Sequence, residues 1–172
     1  MKLEGTNQLH APRESVYQAL TDPQILARCI PGCERLERTA DNAYAATIRA
    51  GVGAIKGIFN SSVRLENMRP PEHYRLVVEG KGPAGFLKGF GDFNLQAQGK
   101  ETMVQYNGDI QVGGTIASVG QRMIQATAKM MAAQFFTALE AEAKSTDAPP
   151  KHGFFRTALR WFSGWLHSVL KK

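Results

Sequence analysis

Cysteine is nearly absent from this 172-residue chain, and the two present, Cys29 and Cys33, bracket Ile30-Pro31-Gly32. Two thiols fall short of the four ligands that a structural zinc site takes, and they exclude a disulfide-stapled fold. His10, His73, His152 and His167 are scattered, so no metal site is expected and the thiols are read as buried groups beside a tight turn. Paired carboxylates on one face, a Ser/His/Asp or Cys/His set and a phosphate-binding loop are all missing. Gly51 to Gly57 has the glycines of a nucleotide loop but lacks its spacing and the helix that should follow, so they are read as hairpin glycines. An enzyme is not expected. The chain also lacks a run of about 20 apolar residues free of charge, so a membrane-spanning helix is not expected. Met1-Lys2-Leu3-Glu4-Gly5 has no apolar signal stretch, and a cytoplasmic location with reduced thiols is expected. There is no internal repeat and no low-complexity tract.

Asp and Glu are missing from the last 19 residues, Phe154 to Lys172, and this segment is the most patterned part of the chain. At helical spacing Phe154, Phe155, Ala158, Leu159, Trp161, Phe162, Trp165, Leu166, Val169 and Leu170 fill one half-turn. Arg156, Thr157, Arg160, Ser163, Gly164, His167, Ser168 and Lys171 fill the other. Arg156, Arg160, Lys171 and Lys172 supply four of the six net positive charges. Cations beside a Trp-, Phe- and Leu-rich face are the composition of a helix lying in the membrane interface, attracted by anionic lipid. The groove of a partner protein, or a cap on its own domain, are the other places such a face can be buried. The basic residues are too localised for a nucleic-acid surface, and none is expected.

Over the whole chain, 43% hydrophobic and 21% charged residues are ordinary for a globular protein. Alternation over residues 2–10 predicts a strand, and Pro12 opens a short helix over 12–20. Asp22-Pro23 caps a second helix running to about Arg28, and Pro31-Gly32 ends it. From Glu34 to Val112 the period is two, and five further strands are expected, separated by turns at Asp41-Asn42, Pro70-Pro71, Gly82-Pro83 and Gly99-Lys100. A meander with one apolar face is the economical topology. Helical period returns over roughly 116–144, and Ser145 to Gly153, with Pro149-Pro150, reads as a linker. The fold class is therefore α+β: a curved antiparallel sheet around a long C-terminal helix, with an amphipathic helix appended.

That order resembles the START-like, or SRPBCC, helix-grip superfamily. The motifs Met1-Lys2-Leu3-Glu4-Gly5, Leu26-Ala27-Arg28-Cys29-Ile30-Pro31-Gly32-Cys33-Glu34, Gly82-Pro83-Ala84-Gly85-Phe86 and Leu87-Lys88-Gly89-Phe90-Gly91 narrow it. They resemble the carbon monoxide dehydrogenase G-subunit family over residues 1–144, with 145–153 the linker and 154–172 the membrane-interacting helix. The resemblance implies a cavity between sheet and helix. It also implies a non-catalytic accessory of a molybdenum-containing CO dehydrogenase-type enzyme, linking that enzyme to the membrane by carrying a quinone.

Inward positions of the expected strands and helix combine aromatics with flexible Met, as apolar ligand pockets do. The expected ligand-lining residues are Tyr44, Ile48, Phe59, Leu76, Phe93, Leu95, Tyr106, Ile110, Met123, Met130 and Met131, although the same residue types also fill a solid core. Tyr44 and Tyr106 offer phenolic hydrogen bonds to a quinone carbonyl. Gly82 to Gly91 reads as a loop gating the cavity, adding Phe86 and Phe90 to the ligand set, or else as a hairpin with its aromatics folded onto the core. The expected membrane contacts are Phe154, Phe155, Arg156, Leu159, Arg160, Trp161, Phe162, Trp165, Leu166, Val169, Leu170, Lys171 and Lys172. No cofactor is expected apart from a bound quinone. The expected partners are a CO dehydrogenase-type enzyme, which the resemblance implies, the inner face of the cell membrane and a hydrophobic small molecule. Two other functions fit the residues: a structural membrane adaptor that transfers no ligand, and a START-like enzyme acting on an apolar ring compound.

Overall fold

The computed structural model describes residues 1–147; the expected tail helix and the part of the expected linker from residue 148 onward lie outside the described residues. Seven antiparallel strands form one sheet in the order β1-β7-β6-β5-β4-β3-β2. The strands are β1 (Lys2–Leu9), β2 (Cys33–Ala40), β3 (Ala43–Val52), β4 (Ile55–Arg69), β5 (His73–Gly82), β6 (Gly85–Gln98) and β7 (Glu101–Gly113). Helices α1 (Arg13–Thr21) and α2 (Pro23–Cys29) join β1 to β2, and α3 (Gln121–Asp147) crosses the concave face.

The local signals explain most of these elements. Asp22 accepts hydrogen bonds from the backbone N–H groups of Gln24 at 2.8 Å and Ile25 at 3.3 Å, and Pro23 occupies the first turn, where it loses no helical bond. Asn42, Gly53 and Gly99 take positive φ at three hairpin turns.

Three expectations need correction. Six strands, not five, follow α2, because β2 (CERLERTA) is a charged edge strand with only Leu36 packed on the core. Gly82 to Gly91 is not a gating loop, since only Pro83-Ala84 turn and residues from Gly85 onward are strand β6. Its inward positions Gly89 and Gly91 carry no side chain, so the two-residue period left no apolar trace there. Finally, the helix expected from 116 is interrupted: a 3-10 turn (Thr115–Val119) ends at Gly120, whose φ of 90° cannot continue a helix. Helix α3 then runs to Asp147, three residues into the expected linker.

The core is divided. A large cluster packs Val16, Leu20, Tyr74, Leu95, Val104, Phe136 and Leu139 under α1 and the C-terminal half of α3. A small one packs Val52, Phe59, Ala84 and Ile116 at the opposite end of the sheet. Register places Val78, Gly91, Gly108 and Ile110 between the two clusters.

Candidate functional site

At that division lies an apolar cavity of about 300 Å³. Its sheet side is formed by Leu3, Leu76, Val78, Gly91, Phe93, Tyr106, Gly108 and Ile110. Met131, Ala132, Phe135 and Phe136 of α3 close it from above, and Ile30-Pro31, between α2 and β2, close it at the side. The sequence places the space there for a simple reason. Leu76, Gly91 and Gly108 are neighbours across three strands, and two of the three have no side chain to fill the gap beneath α3. A Cβ on Gly91 would meet Phe93 at 3.5 Å and the Asn107 carbonyl at 3.7 Å, both ordinary contacts, so the volume in front of it is open.

One wall is a run of aromatic rings. Tyr74 stacks on Phe93 at 4.9 Å with planes 5° apart, Phe93 lies 6.1 Å from Tyr106, and Tyr106 lies 5.6 Å from Phe136. Phe135 meets Phe136 edge-on at 5.2 Å. Such pairs hold one another's orientation and present flat faces to a flat ligand. The Tyr106 phenol lies against Gly5 of β1, where any side chain would collide with it. Burial pushes the Tyr106 hydroxyl above its usual range, so it stays protonated. Burial also raises both cysteine thiols, which disfavours the reactive thiolate; Cys29 is buried and Cys33 partly so.

Of the expected ligand residues, the structure gathers Leu76, Phe90, Phe93, Tyr106, Ile110 and Met131 around this cavity. Tyr44 and Leu95 are buried in the large cluster instead, and Phe59 in the small one. Ile48 faces inward on β3 opposite Phe59 but does not line the cavity. Met123 and Met130 are 48% and 55% exposed and lie outside the cavity lining. The helical period identified their helix but not its buried stripe. Phe86 belongs by register to the outer face, covering Gly113. Phe90 borders the cavity but shares the outer face with Arg75, whose guanidinium lies 4.7 Å above its ring. Sequence reasoning missed Leu3, Ile30, Pro31, Val78, Ala132, Phe135 and Phe136 as lining residues. The Ile-Pro-Gly run was a visible signal, since an apolar residue before a Pro-Gly turn is held in extended backbone and pointed at whatever lies beside the turn.

A curved antiparallel sheet that grips one long helix over an apolar cavity defines a START-like helix-grip protein. Known structures bear this out. A START superfamily protein from Mycobacterium smegmatis superposes with a TM-score of 0.64 at 14% identity, covering 84% of this chain and 98% of that one. The Zhui aromatase/cyclase from Streptomyces sp. R1128 superposes at 0.63 and 16% identity, covering 84% and 93%, a likeness of fold alone. More similar is a conserved protein from Geobacillus kaustophilus, with a TM-score of 0.81 and 33% identity over 85% of this chain and 97% of that one. No match is found among curated proteins. The family model for CoxG, the G subunit of carbon monoxide dehydrogenase, matches residues 5–144, and the chain belongs to that family.

Proposed function

We propose that this protein is a non-catalytic carrier that shelters a hydrophobic ring compound, a respiratory quinone, and brings it to a CO dehydrogenase-type molybdenum hydroxylase at the cytoplasmic face of the membrane. The observation that carries the reading is the cavity of about 300 Å³ with its aromatic wall and almost wholly apolar lining. That volume is the space of roughly ten waters, enough for a substituted ring but not for a long isoprenoid chain. The chain of such a ligand therefore leaves through the mouth. Burying the ring at about 25 cal/mol per Å² drives loading, and the protonated Tyr106 hydroxyl offers a ring carbonyl one hydrogen bond.

Family membership supports the link to the enzyme. Membrane recruitment rests on the composition of residues 154–172. No helix among the described residues is long and apolar enough to cross a membrane. Reversible attachment through the tail is the mode its Trp, Phe, Leu and Arg composition favours.

The test is extraction and mass spectrometry of protein purified from its own membrane fraction, together with a quinone titration of wild type and Tyr106→Phe. A co-purifying quinone and saturable binding, weakened several-fold in Tyr106→Phe, are expected. If no lipid or quinone co-purifies and none binds, the carrier role fails and the adaptor function remains. Removing residues 154–172 is expected to abolish sedimentation with vesicles.

A further inference from the structure

One end of the domain brings exposed cations and exposed apolar side chains together. The β3–β4 turn at Gly53-Ala54, the β5–β6 turn at Pro83-Ala84 and the start of α3 all fall at this end, as the antiparallel registers require. Lys56, Lys81, Lys88 and Arg122 are exposed there, and none of the four forms an ion pair among the described residues. Glu79 stands opposite Lys88 across the β5–β6 ladder, while Lys56 and Lys81 face Gly51, Asn60 and Phe86. At the opposite end Arg13 pairs with Glu72, Arg38 with Asp41 and Lys144 with Glu140, whereas Arg69 and Lys100 form no ion pair among the described residues. Unpaired cations occur elsewhere too, but four of them gather at this pole, where Glu79 is the acidic residue in register with Lys88.

Large apolar side chains are exposed at the same pole. Ile58 is 37% and Met123 48% exposed, and the Met123 methyl reaches over the Gly53 turn. Ala54 and Pro83 are exposed at the turn tips. Apolar tips flanked by long cationic stems suit a bilayer, because the stems lie along apolar surface while their charges reach phosphate. The feature is a convex set of turns rather than a groove.

We infer that this pole of the domain is itself a membrane contact, in which Lys56, Lys81, Lys88 and Arg122 meet anionic headgroups while Ile58 and Met123 enter the interface. The inference deepens the membrane-recruitment reading by assigning an orientation that a tail alone cannot impose. It places the small cluster of Val52, Phe59, Ala84 and Ile116 toward the lipid, so that one layer of side chains separates the bilayer from the cavity. Each cation near an anionic surface strengthens binding by roughly fivefold, so the four together give this pole a strong orienting preference.

The chain's two cysteines make the test direct, because Cys29 is buried and Cys33→Ser removes the other reactive thiol. In the full-length Cys33→Ser protein, Ala54→Cys carries an environment-sensitive nitrobenzoxadiazole label at the pole, and Asp41→Cys carries it at the far end as the control. Vesicles of phosphatidylcholine with and without about a third phosphatidylglycerol are added, with sedimentation followed in parallel. The pole label is expected to brighten, shift to the blue and become accessible to a lipid-borne quencher on anionic vesicles only. The far label should stay unchanged. Lys56→Glu, Lys81→Glu, Lys88→Glu and Arg122→Glu combined should abolish the response while the tail still sediments the protein. A label that stays in water while wild type sediments overturns the inference and leaves tail recruitment standing. Sedimentation and label response that persist after removal of residues 154–172 overturn the tail instead and leave the inference standing. A label shielded by the CO dehydrogenase-type enzyme but not by anionic vesicles also overturns the inference, making the pole a protein-docking face.

Discussion

Gly91→Leu is the substitution that most directly separates a ligand cavity from an imperfectly packed core. Gly91 faces inward between Leu76 and Gly108, its φ is not left-handed, and a Cβ there makes only ordinary contacts. The backbone therefore accepts a side chain, and that side chain projects into the cavity. A glycine inside a strand costs about 0.5–1 kcal/mol relative to alanine, so Gly91→Ala should raise stability by that amount. Leucine places four carbons in the space. A ligand that filled it must leave a comparable number of carbons unburied at about 0.8 kcal/mol each, which totals about 3 kcal/mol, or on the order of a hundredfold in Kd. Filling an empty apolar cavity is neutral to stabilising, commonly by about 0.5–2 kcal/mol. The assay pairs urea unfolding with a quinone titration, and the expected result is equal or greater stability with binding largely lost. Destabilisation by the roughly 1–3 kcal/mol typical of overpacking, with binding intact, would show that the space is closed in solution and that the ligand sits elsewhere.

Three further outcomes follow from the same geometry. Met131→Trp should block ligand binding while Met130→Trp leaves it within twofold, because only Met131 lines the cavity; equal effects in a titration would contradict the placement of α3. Thr102 is fully buried and its hydroxyl donates to the Ala11 carbonyl at 2.7 Å, so Thr102→Val should cost about 1–3 kcal/mol in urea unfolding, with a loss under about 0.5 kcal/mol counting against the bond. Two hydrogen bonds from Arg75 hold the Asp92 carboxyl below its usual range, and Lys144 and Arg28 do the same for Glu140 and Glu142. With folded values depressed, that stabilisation is fully present above the unfolded carboxylate value of about 4 and is lost as pH falls through the lower folded values. Unfolding midpoints across pH 7 to 2 should therefore drop most steeply below about pH 4, and Asp92→Asn should flatten part of that slope.

Much of the architecture is legible in the residue order because it depends on local periodicity. Alternation marks β1 and β3 to β7, the Asp22-Pro23 pair sets the start of α2, and the long helical period after Gly120 marks α3. Strand β2 escaped because an edge strand with one face in water needs little apolar pattern, and β6 was shortened because its inward glycines leave no trace in composition. The cavity was legible only as a set of residue types. Tyr44, Phe59 and Leu95 are as apolar and as inward-facing as Phe93 and Tyr106, yet they pack solidly while the latter pair borders open space.

Residue order alone carries the succession of sheet and helix, the family and the charge of the final segment, since each is written in spacing or composition along the chain. Where the empty volume lies is a property of the folded molecule. That volume exists because Gly91 and Gly108, from different strands, are neighbours beneath Met131 and Phe135, and Ile30-Pro31 closes the side. An absence shared by distant residues has no signal in any one of them, because whether a missing side chain leaves space depends on what the rest of the fold brings to fill it.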